Sequence, residues 1–276
     1  GSLVDDADVL AALTAPTVDV QGPETTLREL DVHLPTGTPA KELLRRVPEE
    51  VGQQTLYDKW RMTELALAEG LRVPASWEQQ RDDVLPVVVK GRISAGGQDV
   101  EVVHSREELQ RSAARMGQRD NGGVFFQEVF TGPVLNAAGV AKNGRLLVHA
   151  IYEATPEPDD PFGPPVLLRI LDRPDVASEL AALIAALGYT GVFCIDYVQD
   201  EHGRIGMVDF NPRVFGGWLQ LQTAGVDFIA AYLHCLGLGP PPAFRPLATG
   251  TVLDVRVLAG PADSPRAAAL EARRSL

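Results

Sequence analysis

The spacing of apolar positions changes along this chain, and each change marks an element. Between Trp60 and Glu69 apolar residues recur at helical spacing and Gly70 follows as a stop, which predicts a helix over Trp60–Glu69. From Val73 onward the period shortens to two. Short apolar runs predict strands at Leu85–Lys90, where β-branching is strong, and at Val100–His104, Val124–Phe130, Leu135–Ala141 and Arg145–Ile151. The last two flank Lys142-Asn143-Gly144, whose Asn-Gly pair is a strong hairpin signal. Ser105 followed by Glu108 is a capping box that opens a helix to about Met116. Pro174–Leu187 reads as a helix with proline in its first turn and Gly188 behind it. Val192–Gln199 and Arg204–Phe210 form a second hairpin around Asp200-Glu201-His202-Gly203, followed by a Gly216-Gly217 turn, a helix at Asp227–Leu236 and a strand at Thr251–Leu258. Pro156–Pro165 is a loop by its Pro, Asp and Gly content, and residues 1–57 offer only helical pieces at Ala7–Leu13 and Pro39–Val51, too little for a core of their own.

Composition narrows the class. With 276 residues, 45% hydrophobic and 22% charged, the chain has ordinary globular usage and the size to bury a full core. A formal charge of −12 argues against duplex nucleic acid as a partner, and means that an anionic ligand would have to be met by a few locally concentrated cations. Cys194 and Cys235 lie in apolar runs without metal or redox spacing and read as small buried hydrophobes, pointing to a cytoplasmic protein. The start lacks a basic region followed by an apolar run, Gly1-Ser2 reads as an expression remnant, and no run approaches the roughly 18 apolar residues of a membrane span. His33, His104, His149, His202 and His234 show no ligand spacing and read as structural, and no Ser-His-Asp or Cys-His pattern supports covalent catalysis.

The hairpin ending in Asp209-Phe210-Asn211-Pro212-Arg213 is the most informative segment. With a loop at 200–203 and no bulge, Asp209 would face Cys194, and Asp196 and Asn211 would share its face. Two carboxylates and an amide oxygen make a hard, oxygen-only set suited to Mg²⁺; alternatively they are solvated residues on an open sheet face. Lys90 ends an apolar strand ahead of Gly91 and Gly96-Gly97. It either meets an anion, with the glycines admitting backbone N–H groups to phosphate oxygens, or snorkels to water. Arg213, aimed by the preceding proline, and Arg169, in the apolar run VLLRIL, are candidates for a phosphate or carboxylate; Arg213 also reads as a surface turn residue. Neither a Walker nor a Rossmann glycine order is present.

Taken in order, these elements resemble the ATP-grasp superfamily over Tyr57 to Leu236. Asp58-Lys59 resembles its entry motif, PVVVKGRISAGGQDVEVV its first phosphate lysine and phosphate loop, VFFQEVFTG its adenine hinge, and Asp209 to Arg213 its metal signature. The resemblance implies an α+β fold of two antiparallel-sheet lobes with helices, clasping ATP. It divides the chain into a partial N-terminal segment (1–57), a small lobe (58–130), a large lobe with the metal site (131–245) and a C-terminal strand and tail (246–276). It implies that Lys59 and Lys90 bind ATP phosphates and that Ser94, Gly96 and Gly97 close over them. Gln127 and Glu128, with the backbone of Val129 and Phe130, would meet adenine. Asp196, Asp209 and Asn211 would hold Mg²⁺, for which Mn²⁺ can substitute, and Arg213, with Arg169 as a second candidate, would stabilise an acyl phosphate. The implied activity is a biosynthetic ADP-forming ligase joining a small carboxylate to an amine or other nucleophile. The same fold also serves enzymes that pass an acyl or carboxy phosphate to another acceptor, and non-catalytic nucleotide-binding modules; a homodimer is compatible with all of these. Three departures stand out: Asp209 replaces the usual glutamate, Val134 stands where many members put an acidic ribose ligand, and residues 1–57 are fewer than the full α/β domain that the family usually carries before this entry motif.

Overall fold

The structure is a computed structural model that describes residues 45–94, 99–119, 122–156, 165–213, 215, 217–237 and 239–255. The helical expectation at Ala7–Leu13 and the interior of the Pro156–Pro165 loop lie outside them. Two antiparallel sheets organise the chain. The smaller runs β2 (Ser76–Trp77), β5 (Val124–Glu128), β3 (Val87–Gly91), β4 (Val100–Val103). The larger runs β1 (Arg45–Arg46), β9 (Thr190–Gln199), β6 (Val134–Lys142), β7 (Arg145–Pro156), β8 (Pro165–Ile170), β11 (Val252–Asp254), and β10 (Ile205–Asn211) also pairs with β9. Among the described residues the architecture is α+β.

Local chemistry explains the elements. Asn143 (φ 50°) and Gly144 (φ 74°) both adopt the left-handed backbone that a two-residue hairpin turn requires, joining β6 to β7. The capping box of α2 (Arg106–Gly117) is complete: Ser105 Oγ accepts from Glu108 N at 3.2 Å, and the Glu108 carboxylate accepts from the N–H groups of Ser105 and His104. Leu109 and Met116 of α2 then seal the small sheet against Val87, Val89, Val103 and Phe126. One face of the large sheet is covered by α1 (Lys59–Ala68) and α3 (Pro174–Ala186), with Met62, Ala66, Leu180 and Leu183 in one core with Phe193, Ile195 and Tyr197. The other is covered by α4 (Trp218–Ala224) and α5 (Phe228–Cys235), whose Trp218, Leu221 and Phe228 share a core with Val140, Tyr152 and Ile170.

The segment before Asp58 differs from its sequence reading. Residues 45–51 form no helix: β1 pairs with the start of β9, Arg45 with Gly191 and Arg46 with Thr190, and a single 3-10 turn follows at Gln53–Leu56. Pro48, and Gly52 at φ 77°, break the helical pattern there. Val47 and Leu56 are buried in the core beneath α1 and α3, so this stretch and α1 both pack with the large sheet. The last strand is Val252–Asp254, shorter than the predicted Thr251–Leu258, whose remainder beyond Val255 lies outside the described residues.

Candidate active site

The β9–β10 hairpin carries a bulge, which corrects the expected register. Met207 pairs with Tyr197, Asp209 with Asp196 and Asn211 with Cys194, the shift falling between Met207 and Asp209. Val208 is the extra residue, and the two carboxylates are therefore direct cross-strand neighbours instead of diagonal ones. The bulge also serves the other sheet. The Val208 carbonyl, left out of the ladder, accepts a hydrogen bond from Lys90 Nζ at 3.0 Å. Lys90 is buried and donates also to Gln127 Oε1 at 2.6 Å; Gln127 in turn donates to Ser76 Oγ at 3.1 Å. Lys90 does not snorkel. Burial lowers its pKa to about 8, with Lys59 pushing the same way and the charges of Asp209 and Asp196 opposing.

Lys59 approaches from the first residue of α1, where Asp58 caps the helix by accepting from Trp60 N and Arg61 N. Its Nζ lies 2.5 Å from Asp209 Oδ1, and its side chain is 11% exposed. A cation at a helix N-terminus opposes the macrodipole, so this lysine is held by its carboxylate partner and not by the helix. Asp58 also takes the Arg92 guanidinium, Nη2 to Oδ2 at 2.7 Å and Nε to Oδ1 at 3.1 Å, while Arg92 O accepts from Lys59 N at 2.9 Å. Arg92 thus ties the strand end beyond Lys90 to the helix start that bears Lys59.

Asn136, which sequence reading passed over, completes the row. On β6 it lies opposite Asp196, and its Nδ2 donates to Asp196 Oδ1 at 2.5 Å. Its own Oδ1 is buried and meets no hydrogen-bond partner among the described residues. Asp196 is driven up to about 7 by burial first and by the charge of Asp209 second, against the charge of Lys59, the Asn136 bond and the charge of Arg213. Asn211 Nδ2 is 3.4 Å from both Asp196 Oδ2 and Asp209 Oδ2. Beneath lies Cys194, buried and beside the Tyr152 hydroxyl at 3.7 Å, its thiol pushed up by burial; Cys235 is also free and buried. Among the described residues no three His, Cys, Asp or Glu side chains gather as a metal site. The donor chemistry nevertheless fits Mg²⁺: two facing carboxylates that repel one another, and an Asn211 amide whose reversal offers a third oxygen between them.

The remaining candidates divide. Glu128 is exposed and accepts from Ala75 N at 3.2 Å, and Val129 and Phe130 are half-buried. The Phe130 ring lies under the Arg72 guanidinium at 5.6 Å, and Arg72 is paired with Asp200 at 2.6 Å. Ser94 is half-buried at the end of the described strand exit, while Gly96 and Gly97 lie outside the described residues. Arg213 is near enough to Asp196 for its charge to act there. Arg169 is the exception. It stands opposite Glu153, with which it forms an ion pair, while its neighbours Leu168 and Ile170 share the core of Tyr152. Strand alternation turns Arg169 to the face opposite Asp196, and the same anion cannot be its ligand.

Asp200 anchors the hairpin turn. Partial burial raises its carboxyl, but the Arg204 and His202 N–H groups and the Arg204 guanidinium hold it down at about 2. With the folded value lowered, its contribution is complete above the ordinary 3.8 and vanishes as pH falls through about 2. The gap in urea midpoint between wild type and Asp200→Asn is expected to close over that window; a gap constant with pH would remove this role.

Two antiparallel sheets packed with helices in this order make the ATP-grasp fold, and solved structures share that fold. The chain is similar to a biotin carboxylase–ATP analogue complex from Campylobacter jejuni (13% identity, TM-score 0.59, covering 71% of this chain and 49% of that one). It is also similar to an L-amino acid ligase from Bacillus licheniformis (18%, TM-score 0.53, 66% and 47%). A third is a carboxyaminoimidazole ribonucleotide synthase from Aspergillus clavatus complexed with ATP (14%, TM-score 0.59, 75% and 58%). The chain spans about half the length of these proteins. No protein-family model and no curated protein matches the sequence. Among the described residues no helix is long and apolar enough to cross a membrane.

Proposed function

We propose that this protein is an ADP-forming, Mg²⁺-dependent ligase that activates a small carboxylate as an acyl phosphate and couples it to an amine or a similar nucleophile. The convergence of Lys59, Lys90, Asp196, Asp209 and Asn211 at the junction of the two sheets is the observation that carries this reading. Asp196, Asp209 and the reversed Asn211 amide would hold Mg²⁺, which supplies positive charge to the phosphate oxygens. Lys90 brings a desolvated cation to the same phosphates, and Lys59 a second one from the start of α1. Arg213 offers a planar guanidinium to the transferring phosphoryl group. The backbone of Val129 and Phe130 provides amide donors and acceptors for a base, beside Glu128 and the buried Gln127, whose amide is taken by Lys90 and Ser76. The names of the structural neighbours include both an amino acid ligase and a carboxylase, which supports the carboxylate-activating chemistry while leaving the acceptor to experiment.

The test is a screen of carboxylates and amines for ADP release. Release that requires both partners supports the ligase. Release with a carboxylate alone supports the second reading, an acyl- or carboxy-phosphate-forming enzyme whose acceptor is another group. Nucleotide binding with no release under any pairing would instead favour a binding module.

A further inference from the structure

Lys59 has a use beyond contacting phosphate. Its ammonium lies 2.5 Å from Asp209 Oδ1, where a metal held by Asp196 and Asp209 would bring its own charge. Its neighbours differ: Lys90 donates to Gln127 and the Val208 carbonyl while also feeling the charge of Asp209, Asn136 and Asn211 bring neutral amides, and the charge of Arg213 acts on Asp196. The Lys59 side chain is only 11% exposed and that of Asp209 22%, so water screens the pair weakly. We propose that Lys59 is the centre's built-in counter-cation and sets its selectivity: it competes with a free divalent ion for Asp209, so the site takes the metal together with a polyphosphate and not alone.

The physical basis is a swap of partners. A free divalent ion must displace this ammonium from Asp209 and brings it no new partner. An ion arriving on a nucleotide brings phosphate oxygens, to which Lys59 can transfer while the carboxylates take the metal. The sign is testable because it runs against the naive one: removing a cation from a nucleotide site should tighten binding of a second cation. The inference rests on the metal centre proposed above.

The probe is Mn²⁺, followed by its retention on the protein in equilibrium dialysis, with and without a non-hydrolysable ATP analogue present on both sides of the membrane. Wild type is expected to bind Mn²⁺ weakly alone and at least about tenfold more tightly with the analogue. Lys59→Met should bind Mn²⁺ alone at least about tenfold more tightly than wild type, and the gain from the analogue should shrink. Lys59→Gln guards against a folding defect in the first variant, and Lys59→Arg, which keeps the charge, should behave as wild type. Asp209→Asn separates the two levels of inference. If it retains wild-type Mn²⁺ binding with the analogue, the metal centre itself is wrong and the role of Lys59 falls with it. If it loses binding while Lys59→Met and Lys59→Gln bind Mn²⁺ alone no better than wild type, the role of Lys59 alone is overturned.

Discussion

An Asp209→Asn protein is expected to keep its fold and to lose the Mg²⁺ dependence of nucleotide binding. The substitution is nearly isosteric, and Asp196, directly opposite, remains a carboxylate on which the charge of Lys59 already acts. What disappears is one of two anionic oxygen donors. Altering residues that only orient a metal's ligands already costs roughly 10- to 100-fold in affinity, so loss of a direct ligand should cost about 100-fold or more. Calorimetric titration with a non-hydrolysable ATP analogue, with and without Mg²⁺, reads this directly: wild type gains affinity from the metal, and the variant gains little. A variant whose Mg²⁺ gain equals that of wild type would remove Asp209 from the centre.

The second large effect is expected at Lys90. Lys90→Met should weaken the ATP analogue at least about tenfold, or about 1.4 kcal/mol, because a desolvated cation is lost from the phosphate side. Stability should respond in a different direction with pH. The folded pKa of Lys90 is lowered to about 8 from 10.5, so between those values the unfolded chain binds more protons than the folded one. Wild-type stability then rises relative to Lys90→Met as pH climbs from 8 to 10.5, because the buried charge is relieved. Thermal melts of both proteins at pH 7.5, 9 and 10 would check it. A stability gap that does not move with pH, together with unchanged analogue affinity, would return Lys90 to an ordinary structural role.

Most of the fold was legible because its punctuation is local. The Asn143-Gly144 turn, the Ser105/Glu108 capping box, and the glycines at 70 and 188 each act through a few neighbouring residues, and the elements they bound fall within a few residues of expectation. The misses have long-range causes. β8 was read only as an apolar run beside a proline-rich loop, and its strand character comes from lying between β7 and β11. α4 has a short, mixed sequence and is held by Trp218 and Leu221 in a core assembled from distant strands.

The site was half legible. The residues at the sheet junction were visible as motif pieces, but their geometry was not. The bulge at Val208 is announced only by Gly206, two residues before it, and it alone converts diagonal carboxylates into opposed ones. Asn136 could have been found by alternation, since it is the one amide in an otherwise apolar strand. Arg92 was hidden because its meaning lies in Asp58, far away in sequence and capping another element. Arg169 misled because an arginine in an apolar run looks buried, whereas its partner Glu153 lies on the adjacent strand of the other face.

β1 is only two residues long, yet it bears on how this chain can be dissected. It covers the edge of β9 at Thr190 and Gly191, whose other edge is already taken by Ala141 of β6. A fragment beginning at Asp58, where the recognisable motifs start, would uncover that edge and strip Val47 and Leu56 from the core below. Bare strand edges recruit other strands, so such a fragment would be prone to self-association for reasons unrelated to its chemistry. The smallest piece that can be studied in isolation therefore includes the stretch from Arg45.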